Sequence, residues 1–169
     1  VNGQVSENAV WNYPTPIDEC PDIADYVAFY WDRVDAWYEE DEQIFQHARD
    51  PYTRIDCLSS SRHVEVLVNG VKVADTSNPI LLFETGHNTR YYIPSIDVDM
   101  SALEPSDTNT MCPYKGPARY WSVNAGGETF TDYVWQVPAP LPEASKIADH
   151  LCFYDEKAEV QVIVDGEPV

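Results

Sequence analysis

Two stretches of this chain, residues 10–30 and 134–154, are copies of one segment at an offset of 124 positions. Both contain a Val-Trp pair, two prolines separated by one residue and a final Phe-Tyr pair, and ten of the 21 aligned positions are identical. Chance rarely repeats tryptophan and phenylalanine in register, so the match indicates an internal repeat. We therefore predict that both stretches follow the same backbone path.

The repeat is unequal in extent, because residues 62–121 have no counterpart ahead of residue 1. This predicts one complete domain at 61–169, preceded at 1–60 by the C-terminal part of a first copy and a connection. A run of three serines, 59–61, marks the boundary. Since the chain begins at Val1 and not at a methionine, we expect it to be a trimmed product of a longer protein.

The composition is that of a globular protein, with 44% hydrophobic and 12% aromatic residues in a chain of 169. No apolar run approaches the ~18 residues that a membrane span needs, so no membrane partner is expected. The formal net charge of −19 would repel a phosphate backbone, which excludes nucleic acid as a partner. We attribute the acidic excess to a solvated surface that keeps the protein dissolved.

The cysteines and histidines show no metal-binding spacing. The cysteines form no C-x-x-C pair and lie at Cys20, Cys57, Cys112 and Cys152. The histidines are scattered singly, at His47, His63, His87 and His150. We therefore predict neither a metal nor a cofactor. A reducing, cytoplasmic location is the simplest account of the thiols.

The chain reads as mainly β. Alternating residues 64–68 and 71–74 flank Asn69-Gly70, and this dipeptide accepts the positive φ angles of a type I′ hairpin turn. Similar hairpins are predicted around Gly126-Gly127 and Asp165-Gly166.

Two segments, 20–27 and 142–151, resemble short helices introduced by proline, and the acidic stretch 39–51 resembles a solvated connection. The predicted fold class is mainly β with short helices.

The chemically dense block is 83–121, which contains Phe83-Glu84-Thr85-Gly86, Arg90-Tyr91-Tyr92-Ile93-Pro94, Cys112-Pro113-Tyr114-Lys115-Gly116 and Tyr120-Trp121. These motifs resemble the family called domain of unknown function 427, over residues 62–169. Phe29-Tyr30-Trp31-Asp32 and Glu39-Glu40-Asp41 resemble the end of a first copy in its two-copy members. The resemblance implies a curved antiparallel sheet, a β-strand "mitten" with a concave face, and a ligand-binding domain without an established activity.

Within this block, Arg90 and Lys115 are candidates to clamp a carboxylate or phosphate, with Glu84 as the first carboxylate neighbour. We predict that both cations point into one cavity that prefers anions. Aromatic side chains are candidates for its wall, namely Tyr92, Tyr114, Tyr120 and Trp121. The alternative is that these aromatics are core and that Arg90 pairs with Glu84 or Asp97 inside the fold.

Two residues are candidates for covalent chemistry. Cys112 could act as a thiolate with Lys115 as its positive neighbour, and Lys115 alone could form a Schiff base. A structural cysteine in a proline-flanked turn is the alternative. No catalytic triad or paired-carboxylate motif is present in the sequence.

Two classes of function remain. The first is a domain that binds a small, anionic molecule, with metal-independent catalysis left open. The second is a protein–protein interaction module, and a homodimer is one candidate assembly. The concentration of cationic and phenolic groups in one block favours the first class. An interaction module would also expose apolar residues in the first copy.

Overall fold

A computed structural model describes residues 3–44, 55–112 and 114–169 of the chain. The chain divides into two compact units. The first contains residues 3–39 and 43–44, and the second contains residues 40–42 and all described residues from 55 onward. The second unit carries the two larger sheets and the candidate site.

The structure is mainly β, as the sequence predicts. The strands are β1 (Val10–Trp11), β2 (Ala28–Phe29), β3 (Trp37–Glu39), β4 (Glu42–Ile44), β5 (Ile55–Ser59), β6 (Val64–Val68), β7 (Val71–Thr76), β8 (Ile80–Glu84), β9 (Arg90–Pro94), β10 (Leu103–Cys112), β11 (Gly116–Ala125), β12 (Glu128–Gln136), β13 (His150–Phe153), β14 (Val160–Val164) and β15 (Glu167–Pro168).

The second unit contains two antiparallel sheets. One has seven strands in the order β10-β11-β12-β13-β9-β8-β5, and the other has four in the order β15-β14-β6-β7. Valines at alternate positions of β6 and β14 are buried against Ile93, Val123 and Leu151 of the larger sheet. One hydrophobic core therefore lies between the two sheets, because strand side chains alternate between faces.

The predicted hairpin turns are confirmed. Asn69 and Gly70 between β6 and β7 have φ of 49° and 74°, and Asp165 and Gly166 between β14 and β15 have φ of 53° and 89°. Gly126 and Gly127 join β11 to β12 with φ of 60° and 83°. These positive values are what a type I′ turn requires, so the turn residues determine where each strand reverses.

A second core covers the opposite face of the seven-stranded sheet. It contains Leu82, Tyr92 and Trp135 from the sheet, together with Ala144 and Ile147 from a 3₁₀ helix, Pro142–Ile147. The adjacent residues Tyr91 and Ile93 pack in the first core, on the other face. The sheet is therefore covered on both faces, and the candidate site lies at the margin of this second core.

The predicted helices are only partly correct. Pro142 begins a 3₁₀ helix that ends at Ile147, because Ala148 turns to an extended backbone and His150 begins β13. Residues 20–27 contain no helix and end at the start of β2. A single turn forms there instead, in which Tyr26 N donates to Ile23 O at 3.0 Å.

The predicted connection at 39–51 begins with strand residues. Glu42–Ile44 forms strand β4, so this part is not irregular. Residues 45–51 lie outside the described part of the chain. Among the described residues, no helix has the length and apolarity needed to cross a bilayer.

The two copied segments have the same local pairing. In the first unit Val10 pairs with Phe29 and Trp11 with Ala28. In the second, at an offset of 124, Val134 pairs with Phe153 and Trp135 with Cys152.

Backbone hydrogen bonds coincide in the same way. Tyr30 N donates to Ala9 O at 2.9 Å, as Tyr154 N donates to Tyr133 O at 3.0 Å. Arg33 N donates to Tyr30 O at 3.1 Å, as Lys157 N donates to Tyr154 O, also at 3.1 Å. The two segments therefore share strand register and turn hydrogen bonds from residue 9 to residue 33.

Candidate functional site

A cavity of about 400 Å³ opens on the second-core face of the seven-stranded sheet. This volume lies within the range of small-molecule sites. Its lining comes from β8 to β12 and from the connections that follow β8, β10, β12 and β13. It consists of Glu84, His87, Arg90, Thr110, Cys112, Tyr114, Lys115, Ala118, Tyr120, Trp135, Val137 and Tyr154.

Arg90 and Lys115 both line this cavity, as does Tyr114. Lys115 follows the end of β10 and precedes Gly116, whose φ of +106° favours glycine. A Cβ at Gly116 would lie 2.9 Å from the carbonyl oxygen of Ala139, and Leu141 N donates to Lys115 O at 3.0 Å. The close packing of this turn against residues 139–141 places Lys115 at the cavity.

Lys115 forms an ion pair with Glu84 through its ammonium group. Both side chains are mostly buried, with 17% and 14% exposure. The sequence-based expectation that Glu84 would neighbour a cation therefore holds for Lys115. An ammonium carries three donor hydrogens, and Glu84 is the only hydrogen-bond partner of this group among the described residues.

Arg90 pairs with Asp155 and Glu156, which follow β13. The alternative pairing with Glu84 or Asp97 is therefore wrong, because β9 lies beside β13 and Asp97 instead accepts a hydrogen bond from Thr76. The guanidinium carbon lies 5.5 Å from the centre of the Trp135 ring, in the range of a cation–π contact. Arg90 is thus held by two carboxylates and one aromatic face.

These contacts shift the pKa of each group. The hydrogen bond from Arg90 lowers the pKa of Glu156 to about 2, while burial raises the pKa of Asp155 above its ordinary value. The pKa of Arg90 is raised, chiefly by its hydrogen bond to Glu156. Arg90 therefore stays charged at any physiological pH.

Aromatic hydroxyls form one wall of the cavity. The rings of Tyr120 and Tyr154 are stacked with centroids 6.4 Å apart, and their hydroxyl oxygens are 3.4 Å apart. The Tyr120 hydroxyl also lies 3.1 Å from Oγ1 of Thr110. Burial is the main cause of a raised pKa at Tyr154, so this phenol remains a neutral donor and acceptor.

Tyr92 was a candidate for the cavity wall, but its side chain does not line the cavity. Its side chain is fully buried, and its hydroxyl accepts a hydrogen bond from Nε1 of Trp135 at 2.9 Å. The two rings are T-shaped at 6.1 Å. Tyr92 thus packs against Trp135 and holds its ring in position. Burial raises the pKa of the Tyr92 phenol.

Replacing Tyr92 with phenylalanine is expected to lower the free energy of unfolding by about 1–2 kcal/mol, because the buried Trp135 N–H would lose its acceptor. Urea denaturation measures this difference. Tyr91→Phe is a matched control, since Tyr91 is only partly buried on the opposite face. Equal stability of Tyr92→Phe and wild type would contradict the assigned hydrogen bond.

Trp121 also lies away from the cavity. It packs against the core between the two sheets, with Arg119 5.6 Å from its ring centre. Tyr120, its neighbour on β11, faces the cavity. Tyr120 and Trp121 cannot both line the cavity, because adjacent side chains of one strand point to opposite faces.

The catalytic candidates, Cys112 and Lys115, are both in the lining. A Schiff base requires a neutral amine, whereas Lys115 is paired with a carboxylate. Among the described residues Cys112 has no hydrogen-bond partner that would act as its base. His87 lines the same cavity but is exposed.

Two lining residues, Trp135 and Tyr154, were missed by the sequence reasoning. Each has an identical residue at the corresponding position of the first copied segment, where Trp135 matches Trp11 and Tyr154 matches Tyr30. Thr110 and His87 were missed as well, and the sequence carries no signal for Thr110. Identity between the copies was thus the available indication that Trp135 and Tyr154 have a shared role.

One group of potential metal ligands occurs among the described residues, away from the cavity. His63, Glu65 and Asp75 have ligand atoms within 4.8 Å of one another on β6 and β7. The ammonium of Lys72 already pairs with Glu65 at 3.1 Å and with Asp75 at 2.5 Å. This cluster is therefore a surface ion-pair network.

Fold and site define a mainly antiparallel β domain with a cation-bearing, aromatic cavity on one sheet face. A family model matches residues 1–40 and 56–166, and the chain belongs to this family, a domain of unknown function (DUF427). The match includes the first unit as well as the second. No curated protein shows significant similarity to the chain.

Proposed function

We propose that this protein binds a small, anionic molecule in the cavity of the second unit. The observation that carries the proposal is the charge of the lining, which has two cations, Arg90 and Lys115, against one carboxylate, Glu84. The whole chain has ten Lys and Arg against 29 Asp and Glu. Two of the few cations of the chain are thus concentrated and mostly buried at one cavity, where Glu84, Asp155 and Glu156 pair with them.

Lys115 is the group best suited to contact the ligand anion. Arg90 is already shared by two carboxylates, whereas among the described residues the ammonium of Lys115 is paired with Glu84 alone. In a partly dry cavity a charge-assisted hydrogen bond is stronger than at the surface. We expect the anionic group at Lys115 and a ring or apolar portion against Trp135 and Tyr120.

Binding is proposed here without a reaction. The Tyr120–Tyr154 hydroxyl pair offers neutral donors and acceptors, which suit recognition of a carbonyl or hydroxyl group. A metal-independent reaction at Cys112 would require a base from the ligand or from His87. We assign none.

Thermal unfolding with benzoate, phenyl phosphate and neutral benzamide tests the proposal. At least one anion is expected to raise the melting temperature saturably, since a ligand at a hundredfold its Kd stabilises the folded state by ~2.7 kcal/mol. Benzamide has the same ring without the charge and is expected to give little effect.

Lys115→Met should abolish the shift, while Lys157→Met is the matched control. Lys157 carries the same charge but lies over the Tyr133 ring, which packs against the core between the sheets. Equal shifts with benzamide and benzoate, or an undiminished shift in Lys115→Met, would reject an anion site at Lys115. No shift with either anion would also count against it.

We further infer that residues 1–39 are a partial copy of the fold of the second unit. The shared register of β1–β2 and β12–β13 supports this inference. So does the left-handed backbone at Asn8 and Asp132, with φ of 55° and 58° at an offset of 124. These shared local features support a common origin of the two segments.

A second candidate function, a protein–protein interaction module, is favoured by a specific observation. Six aromatic side chains of the first unit are at least 39% exposed, namely Trp11, Tyr13, Tyr26, Phe29, Tyr30 and Tyr38. Exposed apolar residues in this part of the chain are what an interaction surface requires. This function concerns the first unit and is compatible with ligand binding in the second.

A further inference from the structure

The copied segments differ in one informative respect, the cation over the tryptophan. In the second unit, the Arg90 guanidinium lies 5.5 Å from the Trp135 ring and pairs with Glu156. At an offset of 124, Trp135 corresponds to Trp11 and Glu156 corresponds to Asp32. No cation lies over Trp11 within the part of the chain that the structure describes.

The positions that surround the arginine are partly retained, since Asp155, its other carboxylate partner, corresponds to Trp31. Tyr154, whose ring lies 4.5 Å from that of Trp135, corresponds to Tyr30, whose ring lies 6.3 Å from that of Trp11. The matching hydrogen bonds at Tyr30 and Arg33 fix the turn that carries Asp32. The first unit thus has a tryptophan, a tyrosine and one carboxylate where the second unit has a tryptophan, a tyrosine and two carboxylates around an arginine.

These three side chains are accessible. Trp11 and Tyr30 are 39% and 51% exposed, and Asp32 is exposed. An edge contact between Trp11 and Tyr13, at 5.1 Å and 85°, fixes the tryptophan ring without covering it. We call Trp11, Tyr30 and Asp32 the Trp11 surface.

The charge around the Trp11 surface favours a cationic partner. Residues 1–39 contain eight Asp and Glu against a single basic residue, Arg33. Such a region attracts basic segments and repels acidic ones. Guanidinium groups also bind aromatic faces and carboxylates together, which a compact ammonium does less well.

We propose that the Trp11 surface binds an arginine side chain of a basic segment in a partner protein. The inference rests on the second candidate function, interaction through the first unit, and names the chemistry of the partner. The arginine would lie over the Trp11 ring and pair with Asp32, as Arg90 lies over Trp135 and pairs with Glu156.

Fluorescence anisotropy with labelled tetra-arginine, tetra-lysine and tetra-citrulline peptides tests the proposal. Citrulline keeps the shape of arginine but is neutral. Tetra-arginine is expected to bind the full chain tightest. Trp11→Ala and Asp32→Asn should each weaken it by about two- to fivefold, the range for an exposed cation–π contact or ion pair.

Two controls separate the Trp11 surface from general electrostatics. Asp25→Asn removes the same charge from an exposed position of the same unit, and Tyr38→Ala removes another exposed aromatic ring. Both are expected to change the affinity by less than about twofold. Circular dichroism of every variant verifies that the fold is retained.

Several results would overturn the proposal. Equal losses in Asp32→Asn and Asp25→Asn would show non-specific attraction. Tetra-citrulline binding as tightly as tetra-arginine, with loss in Trp11→Ala, would exclude an arginine site but leave an interaction surface. If no peptide binds, both the arginine site and the interaction surface are rejected. A dimer that Trp11→Ala dissociates would show that a second copy of the chain is the occupant.

Discussion

Replacing Trp135 with alanine is expected to lower the free energy of unfolding by about 3–5 kcal/mol. The indole is 7% exposed and packs in the second core, where its N–H donates to the buried Tyr92 hydroxyl. Truncation would leave a cavity under the site and remove the ring that Arg90 contacts. Urea denaturation followed by circular dichroism measures the loss.

Trp11→Ala is the matched control for this prediction. Trp11 occupies the corresponding position of the first copied segment but is 39% exposed. Its truncation is expected to change stability by no more than about 1 kcal/mol, since little apolar area returns to water. Similar losses in both variants would contradict the assignment of Trp135 as a core residue.

Arg90→Met is expected to destabilise the second unit by about 2–3 kcal/mol, because Asp155 and Glu156 would lose their partner. The value is below that of a fully buried pair because the Glu156 side chain is 49% exposed and partly screened by solvent. Methionine retains the apolar stem of the arginine. Denaturant titration at neutral pH provides the measurement.

The loss of folding free energy caused by Arg90→Met should become smaller as the pH is lowered. The pKa of Glu156 is about 2 in the folded protein and about 4.5 in the unfolded chain. The ion pair therefore stabilises the folded state fully at a pH above about 4.5. It is lost as the pH falls through the interval toward 2. The stability difference between wild type and variant should therefore shrink between pH 5 and pH 3, a window inferred from these two values.

Arg119→Met supplies the control for the pH series. The Arg119 side chain donates to Oε1 of Gln136, at 3.0 and 2.6 Å, and this amide does not titrate. The penalty for Arg119→Met should stay constant over the same pH interval. A constant penalty in Arg90→Met as well would show that its carboxylate partners are not responsible.

Local sequence patterns predicted the strands and their turns well. Asn69-Gly70, Gly126-Gly127 and Asp165-Gly166 each adopt the positive φ values expected of them. This success is physical, because the left-handed backbone at such positions depends on the residue itself and its neighbours. The helix predicted at 20–27 is absent, so a proline alone did not indicate a helix start there.

The candidate site was predicted in part. Arg90, Lys115, Glu84, Tyr114 and Tyr120 all line the cavity. Strand alternation would also have separated Tyr120 from Trp121, which face opposite sides of the sheet. The copied segments contained Trp135 and Tyr154 as identical residues, but identity alone does not say which face they occupy.

The sequence alone determined the β-rich class, the hairpins and the family of this protein. Only the tertiary structure decided the partners of the two cations. Arg90 meets Asp155 and Glu156, 65 and 66 residues further along the chain, and Lys115 meets Glu84, 31 residues earlier. Turn and strand preferences act over a few residues, whereas the Arg90 pairs depend on β13 lying beside β9, an order that the packing of the whole sheet determines.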